Sequence, residues 1–243
     1  MDKLLIILSI FGLPAWLWAA PGAELADYQR ELFAAGSEML ENLEVSYVYG
    51  GAKVGDEKTC DACNVCLEDK RPAPKERFQQ CPVCSGCSLD CSHFVQLVFA
   101  KAGLGFPYLT STQMLELDEG GLGRRYQLVP VSITFDGLLA GDLLVYRGHV
   151  VIVEKVHSLT SADIIHATGG KDIKLPGQGI QRERFVRVGS FRGELLRVLR
   201  HQKLQAFWSK TRKAPPAVHE SSSTLSKDEP RFRMRPIQKK QTH

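Results

Sequence analysis

Apolar residues recur along this chain in two rhythms. Across residues 25–43 (LADYQRELFAAGSEMLENL) they fall at Leu25, Tyr28, Leu32, Phe33, Met39, Leu40 and Leu43. Steps of three and four gather them on one side of a helix. Residues 91–102 (CSHFVQLVFAKA) repeat that spacing through Phe94, Leu97, Val98 and Ala102, and Gly103 and Gly105 are natural terminators. A short helix is expected at 111–117. From Gly141 the rhythm changes. LLVY (143–146), HVVIVEKV (149–156), ADIIHAT (162–168) and RERFVRV (182–188) are rich in β-branched residues and bounded by turns, and FRGELLRVLR (191–200) adds a further strand. Helices first and a meandering antiparallel sheet afterwards predict an α+β domain.

Two internal stretches interrupt these rhythms. VSYVYGGAKVG (45–55) carries a double glycine after two tyrosines, which marks a turn or a close backbone approach. Residues 56–90 hold most of the cysteine among charged and proline-rich sequence, and show no regular period.

The ends differ from the body. Lys3 is followed by LLIILSIFGL, then Pro14, two tryptophans and small residues. Charge, a short apolar run and small residues form the layout of a secretory signal peptide, expected over residues 1–23, with Ala19 or Ala23 ending it. An uncleaved anchor is disfavoured by the short run and by Pro14. At the other end, residues 200–243 carry 11 Lys or Arg against 3 acids, hence +8 of the overall +4, which leaves the body at −4. Proline, serine and charge dominate after Trp208, so residues 206–243 are expected to form a basic disordered tail. On an exported protein such a tail suits an anionic wall polymer or membrane surface, and nucleic acid is not an expected partner. One domain, residues 24–205, remains. The overall composition, 44% hydrophobic and 24% charged, excludes collagen-like and multi-span membrane proteins.

Candidate chemistry centres on Cys91. It opens an apolar-periodic helix, with Asp90 or Ser88 as cap. The positive helix end favours a thiolate, a nearby histidine favours it further, and the free N–H groups suit an oxyanion. If strands 149–156 and 162–168 form a hairpin centred on His157–Ser158, His149 lies directly opposite His166 and Val151 opposite Ile164. One imidazole can then serve as base and the other orient it. His93 is a rival base, but a residue two positions on along the helix points elsewhere.

In order, the segments YVYGG (47–51), LDCSHFVQLVF (89–99), FPYLTSTQM (106–114), AGDLLVY (140–146), GHVVIVEKV (148–156) and IIHATGG (164–170) resemble the NlpC-type cell-wall peptidases, papain-like cysteine enzymes of bacteria. The resemblance covers about residues 30–200. It implies a papain-like fold, with N-terminal helices packed on an antiparallel sheet. It implies Cys91 as nucleophile, His149 as base, His166 as orienter and Tyr47 as the oxyanion-side tyrosine, with Asp90 and Ser92 binding substrate. It also implies hydrolysis, without a catalytic cofactor, of an amide bond in the peptidoglycan stem peptide, typically between D-glutamate and a diamino acid. The expected location is the periplasm, cell envelope or exterior.

Two departures stand out. His93 takes the place of the family's usual glycine after Asp-Cys-Ser, where it either narrows the site or faces away. Residues 56–88 form a cysteine-rich insertion, expected to wall one side of the cleft. Its six cysteines, Cys60, Cys63, Cys66, Cys81, Cys84 and Cys87, make two C-x2-C-x2-C runs. Three disulfides suit an exported loop, a structural zinc site suits paired C-x2-C spacing, and an iron–sulfur cluster or redox pairs remain. Two other functions stay open: a papain-like amidase or acyltransferase on another substrate, and a silent wall-binding or metal-binding protein.

Overall fold

The structure is a computed structural model and describes residues 21–73, 75–169 and 179–212. The leader up to residue 20 and the tail beyond 212 lie outside the described residues. The leader's expected last residues, 21–23, fall in the first helix, α1 (Pro21–Asn42).

Among the described residues, seven further helices and eight strands follow. They are β1 (Ala52–Lys53), α2 (Glu57–Lys70), α3 (Arg77–Gln80), β2 (Ser88–Leu89), α4 (Cys91–Lys101), α5 (Ser111–Glu116), α6 (Glu119–Tyr126), β3 (Leu128–Pro130) and α7 (Ile133–Asp136), then β4 (Leu143–Tyr146), β5 (His149–Ser158), β6 (Ser161–Ala167), β7 (Ile180–Arg187), β8 (Leu195–His201) and α8 (Gln202–Arg212). A 3-10 turn, Pro82–Ser85, lies between α3 and β2. This is the expected α+β layout.

The six-stranded sheet has the order β3-β8-β4-β5-β6-β7, antiparallel throughout. The meander holds for β4 to β7, but β8 crosses back to pair with β3 and β4. A buried ion pair fixes that return. Arg200 on β8 donates from Nε and Nη2 to the two carboxylate oxygens of Asp142, 2.7 and 2.8 Å away, and neither residue is exposed. Asp142 also accepts the Leu139 N–H, so the Gly-Asp turn is tied down before β4 begins.

One face of the sheet is covered by α1 and α4. Phe94, Val95, Val98 and Phe99 of α4 are fully buried against Val150, Ile152 and Ile165, joined by Leu32 and Met39 of α1. Truncating one of these phenylalanines to alanine costs about 3–5 kcal/mol. The other face carries a second cluster of Tyr146, Val151, Val153, Ile164 and Val198.

The expected tail begins later than residue 206. Leu204 and Phe207 of α8 are buried, and the Phe207 ring stacks on Tyr28 of α1 at 5.5 Å. Leu204, Phe207 and Trp208 have helical spacing, and α1 supplies the surface that residues this short in apolar period need.

The insertion has more order than its sequence suggests. Asp56 caps α2 by accepting the Thr59 N–H at 2.8 Å. Cys60, Cys63 and Cys66 stand three residues apart on that helix, so the cysteines are themselves the helical period. They pair with the second run in reverse order: Cys60–Cys87, Cys63–Cys84 and Cys66–Cys81. Val48 and Leu67 pack with Cys63, Cys81 and Cys84 as a small separate core.

Candidate active site

Asp90 sets the geometry around Cys91. Its side chain caps α4 by accepting the His93 N–H at 2.8 Å through Oδ1, and it accepts the Gly50 N–H at 3.2 Å through Oδ2. One carboxylate therefore joins the helix end that carries Cys91 to the YGG turn. Gly50 there has φ of +82°. A Cβ on Gly51 would lie 2.8 Å from the Ser88 carbonyl carbon, so the close β1–β2 approach excludes a side chain.

Tyr47, Tyr49, Gly50, Asp90, Cys91, Ser92, Tyr108, Thr110 and Gly148 are among the residues lining a cleft of about 160 Å³. Larger hollows lie elsewhere, one of about 700 Å³ between α6 and β3, yet that one holds no nucleophile. The chemistry belongs to the small cleft. Tyr49, 71% exposed, stands at its mouth.

Cys91 is the one cysteine outside the disulfides. The backbone N–H groups of Val150 and Ser92 favour the charged form of its sulfur. Val150 directly follows His149, so the start of β5 meets the start of α4. His149 Nε2 lies 2.7 Å from His166 Nδ1, and both rings are buried.

The hairpin register differs from the symmetric expectation. Ile152 pairs with Ile165 and Val153 with Ile164, so the pairing is shifted by two residues and Val151 does not face Ile164. His149 and His166 are therefore diagonal rather than directly opposed. A slip of two keeps both on one face, whereas a slip of one would separate them.

The resting charge state also differs from expectation. Burial is the largest influence on the Cys91 thiol and pushes its pKa up; Asp90 adds to this, and the N–H groups of Val150 and Ser92 only partly offset it. Burial, with the Arg192 cation second, pushes His149 down to about 4, and His166 is lowered further by burial, by His149 and by Arg192. Burial thus works against both the thiolate form of Cys91 and the imidazolium forms of His149 and His166.

The other expected residues fall around this centre. Burial raises the Tyr47 phenol, with Cys91 and Asp90 contributing, and its ring packs where a Cβ on Gly169 would approach to 2.6 Å. Ser92 Oγ is 3.9 Å from the Cys91 sulfur. His93 does not line the cleft. Its ring stacks on Tyr108 at 3.9 Å, and so supports a wall residue from behind.

Among the described residues, the insertion contributes none of those that line the cleft. It braces the opposite side of the tyrosine segment. Asn64 Nδ2 donates to the Glu44 carbonyl at 2.7 Å, the Asn64 side chain also meets Ser46 Oγ, and buried Arg77 donates to the Tyr47 carbonyl at 2.6 Å. Asn64 and Arg77 sit in a segment without visible period, which is why the sequence did not single them out. The six cysteines are paired as three disulfides, and among the described residues no group of three or more His, Cys, Asp or Glu is placed to hold a metal ion.

An α+β domain with a cysteine at a helix start and paired strand histidines defines a papain-like cysteine hydrolase. The model of the NlpC/P60 family matches residues 44–188, more than half of the chain, and the chain belongs to that family. Its members are cysteine peptidases and amidases acting on peptidoglycan, which sets the coarse activity of this chain. No curated protein matches it.

Proposed function

We propose that this protein is an exported cysteine endopeptidase that cleaves peptidoglycan stem peptides between D-glutamate and the diamino acid. The observation that carries the reading is the 2.7 Å contact between His149 and His166, on strands β5 and β6 that pack against α4, the helix that Cys91 opens.

The chemistry starts from a neutral thiol and a neutral imidazole. As the Cys91 sulfur attacks the amide carbon, His149 takes the thiol proton, so the charge separation appears only on the way to the tetrahedral intermediate. The oxyanion is held by N–H groups at the start of α4 and by the Tyr47 hydroxyl. Protonated His149 then gives its proton to the departing amine, leaving a thioester. Water, deprotonated by His149, hydrolyses the thioester and restores the thiol. His166 fixes the ring of His149 throughout. Asp90 and Ser92 border the cleft where the peptide lies, and Tyr49 and Tyr108 offer it ring faces.

Export rests on the leader at 1–23, and the basic residues beyond 212 are proposed to contact an anionic wall polymer or membrane surface. The test incubates the purified protein with muropeptides and weighs the products. Paired fragments ending in D-glutamate and beginning with the diamino acid are expected, and Cys91→Ala should yield none. Products of other mass would indicate a different amide bond. Equal cleavage by Cys91→Ala would refute the reading.

A further inference from the structure

The histidine pair has a third member that the catalytic reading leaves unused. Glu183 Oε1 lies 3.2 Å from His166 Nε2, the ring nitrogen on the far side from His149. The three residues come from three neighbouring strands. Glu183 pairs with Ile164 in the β6–β7 ladder and His166 with Gln181, so Glu183 and His166 share a face and are diagonal to one another. His149 and His166 are related in the same way across β5 and β6. The sheet thus carries a diagonal row, His149–His166–Glu183, running out from the cleft to the edge strand β7.

A carboxylate accepts hydrogen bonds and an imidazole nitrogen either donates or accepts. We propose that Glu183 is a positioning residue that fixes the tautomers of both histidines and so aims the basic nitrogen of His149 at Cys91; this rests on the reading of Cys91 and His149 as nucleophile and base. Because Glu183 accepts, His166 carries its proton on Nε2 and presents a bare Nδ1 to its partner. That nitrogen accepts the Nε2–H of His149. His149 is left with Nδ1 as its one basic nitrogen, free to take the thiol proton. The other charged group facing both rings, Arg192, is a cation engaged with Thr168 Oγ1 at 2.6 Å. It cannot accept, so it cannot set this direction. Without Glu183, His166 can protonate Nδ1 instead. His149 must then protonate Nδ1 as well, and the base is lost. Fixing of a catalytic histidine's tautomer by a carboxylate behind it is the known effect in triads.

The test compares wild type, Glu183→Ala and Glu183→Gln at one pH above 7. Imidazole nitrogen NMR shifts report the tautomer of His166 without any substrate. Alkylation of Cys91 and muropeptide hydrolysis report its consequence. Glu183→Ala should shift His166 toward the Nδ1–H form and lower kcat at least ~10-fold with KM within about twofold. Glu183→Gln keeps an acceptor oxygen, so it should keep the wild-type tautomer and most of kcat. The Glu183 side chain is 38% exposed and lies on an edge strand, so both variants should fold. An unchanged His166 tautomer in Glu183→Ala would overturn the proposal, as would a flipped tautomer with unchanged kcat. A wild type inactive on muropeptides would instead count against the proposed function, while the NMR result would still decide the role of Glu183.

Discussion

Thiol enzymes are ordinarily assayed with a reductant to keep the nucleophile free, and here a strong reductant should inactivate. The perturbation is opening of the three nested bridges, by dithiothreitol or by replacing Cys60, Cys63, Cys66, Cys81, Cys84 and Cys87 with alanine. The innermost link, Cys66–Cys81, spans 15 residues and is worth about 3 kcal/mol in the chain-entropy account. With it closed, Cys63–Cys84 and then Cys60–Cys87 each close a ring of only about eight residues, about 2.5 kcal/mol apiece by the same relation. About 8 kcal/mol in all is comparable to the whole stability of an ordinary domain, roughly 5–15 kcal/mol. The insertion has little else. Its core holds Val48 and Leu67 beside the half-cystines, while the sheet and α1 and α4 have their own. Opening the ladder should therefore melt residues 56–88 and leave the sheet folded. The loss reaches the cleft through Arg77, whose hydrogen bond to the Tyr47 carbonyl, like others from charged groups, is worth about 1.5–3 kcal/mol. If that placement of Tyr47 is felt fully in the transition state, kcat falls about 10–100-fold. The assay follows muropeptide hydrolysis, circular dichroism, free-thiol count and zinc content as dithiothreitol rises. Before reduction, one titratable thiol and no zinc are expected. Seven titratable thiols with unchanged kcat would refute the reasoning, and bound zinc would replace the disulfide ladder itself.

With His149 held down to about 4, the acid limb of kcat/KM should lie near pH 4 rather than near 6.5, because the base is lost only when His149 binds a proton. Alkylation of Cys91 should correspondingly rise through neutral pH without a reactive plateau in mild acid, which an ion pair would give; kinetics with a small alkylating agent between pH 4 and 10 decide this. The same depression affects stability. Below about pH 6.5 the unfolded chain binds protons at His149 and His166 that the folded chain refuses, so this part of the stability is complete above 6.5 and is lost as pH falls toward 4; a flat denaturant midpoint over that range would contradict it. Arg200→Met, which removes the cation that offsets the burial of Asp142 at 0% exposure, should cost about 3–5 kcal/mol and lower Tm by about 10 °C, whereas a loss under 1 kcal/mol by urea unfolding would show that the pair does not hold β8 in place.

What could be read in the sequence depended on whether a residue's partner was local. Helices α1 and α4 showed by apolar residues at helical spacing, and strands β4 to β7 by β-branched residues bounded by turns. Helix α2 did not show, because its buried stripe is made of cysteines, and Asn64 and Arg77 gave no sign because their partners are carbonyls on another segment. The return of β8 was hidden for a related reason. It depends on Arg200 reaching Asp142, 58 residues away, and nothing near either residue announces the other. The burial of Cys91 also has no local sign in the sequence. A helix start alone lowers a thiol, but burial of the sulfur outweighs it.

The histidine pair is the instructive case, because the two rings meet although the expected register does not occur. The expected hairpin was centred on His157–Ser158. The turn in fact lies at Leu159–Thr160, with Ser158 opposite Ser161, which displaces the pairing by four. Two bulges, between Val153 and Lys155 and between Val156 and Ser158, each take one residue back. The net slip is two, an even number, so the buried face of β6 is unchanged and His166 still turns toward His149. A single bulge would have left an odd slip and sent His166 to the face that packs on α4. The apolar pattern forbids that outcome. Ala162 and Ile164 belong to the second core cluster and Ile165 and Ala167 to the first, and an odd slip would exchange them. The contact between His149 and His166 is therefore specified by the packing of its apolar neighbours, and the turn has only to supply an even number. The same parity carries the row one strand further, to Glu183 on β7, where the apolar pattern is weakest and sequence reading had stopped.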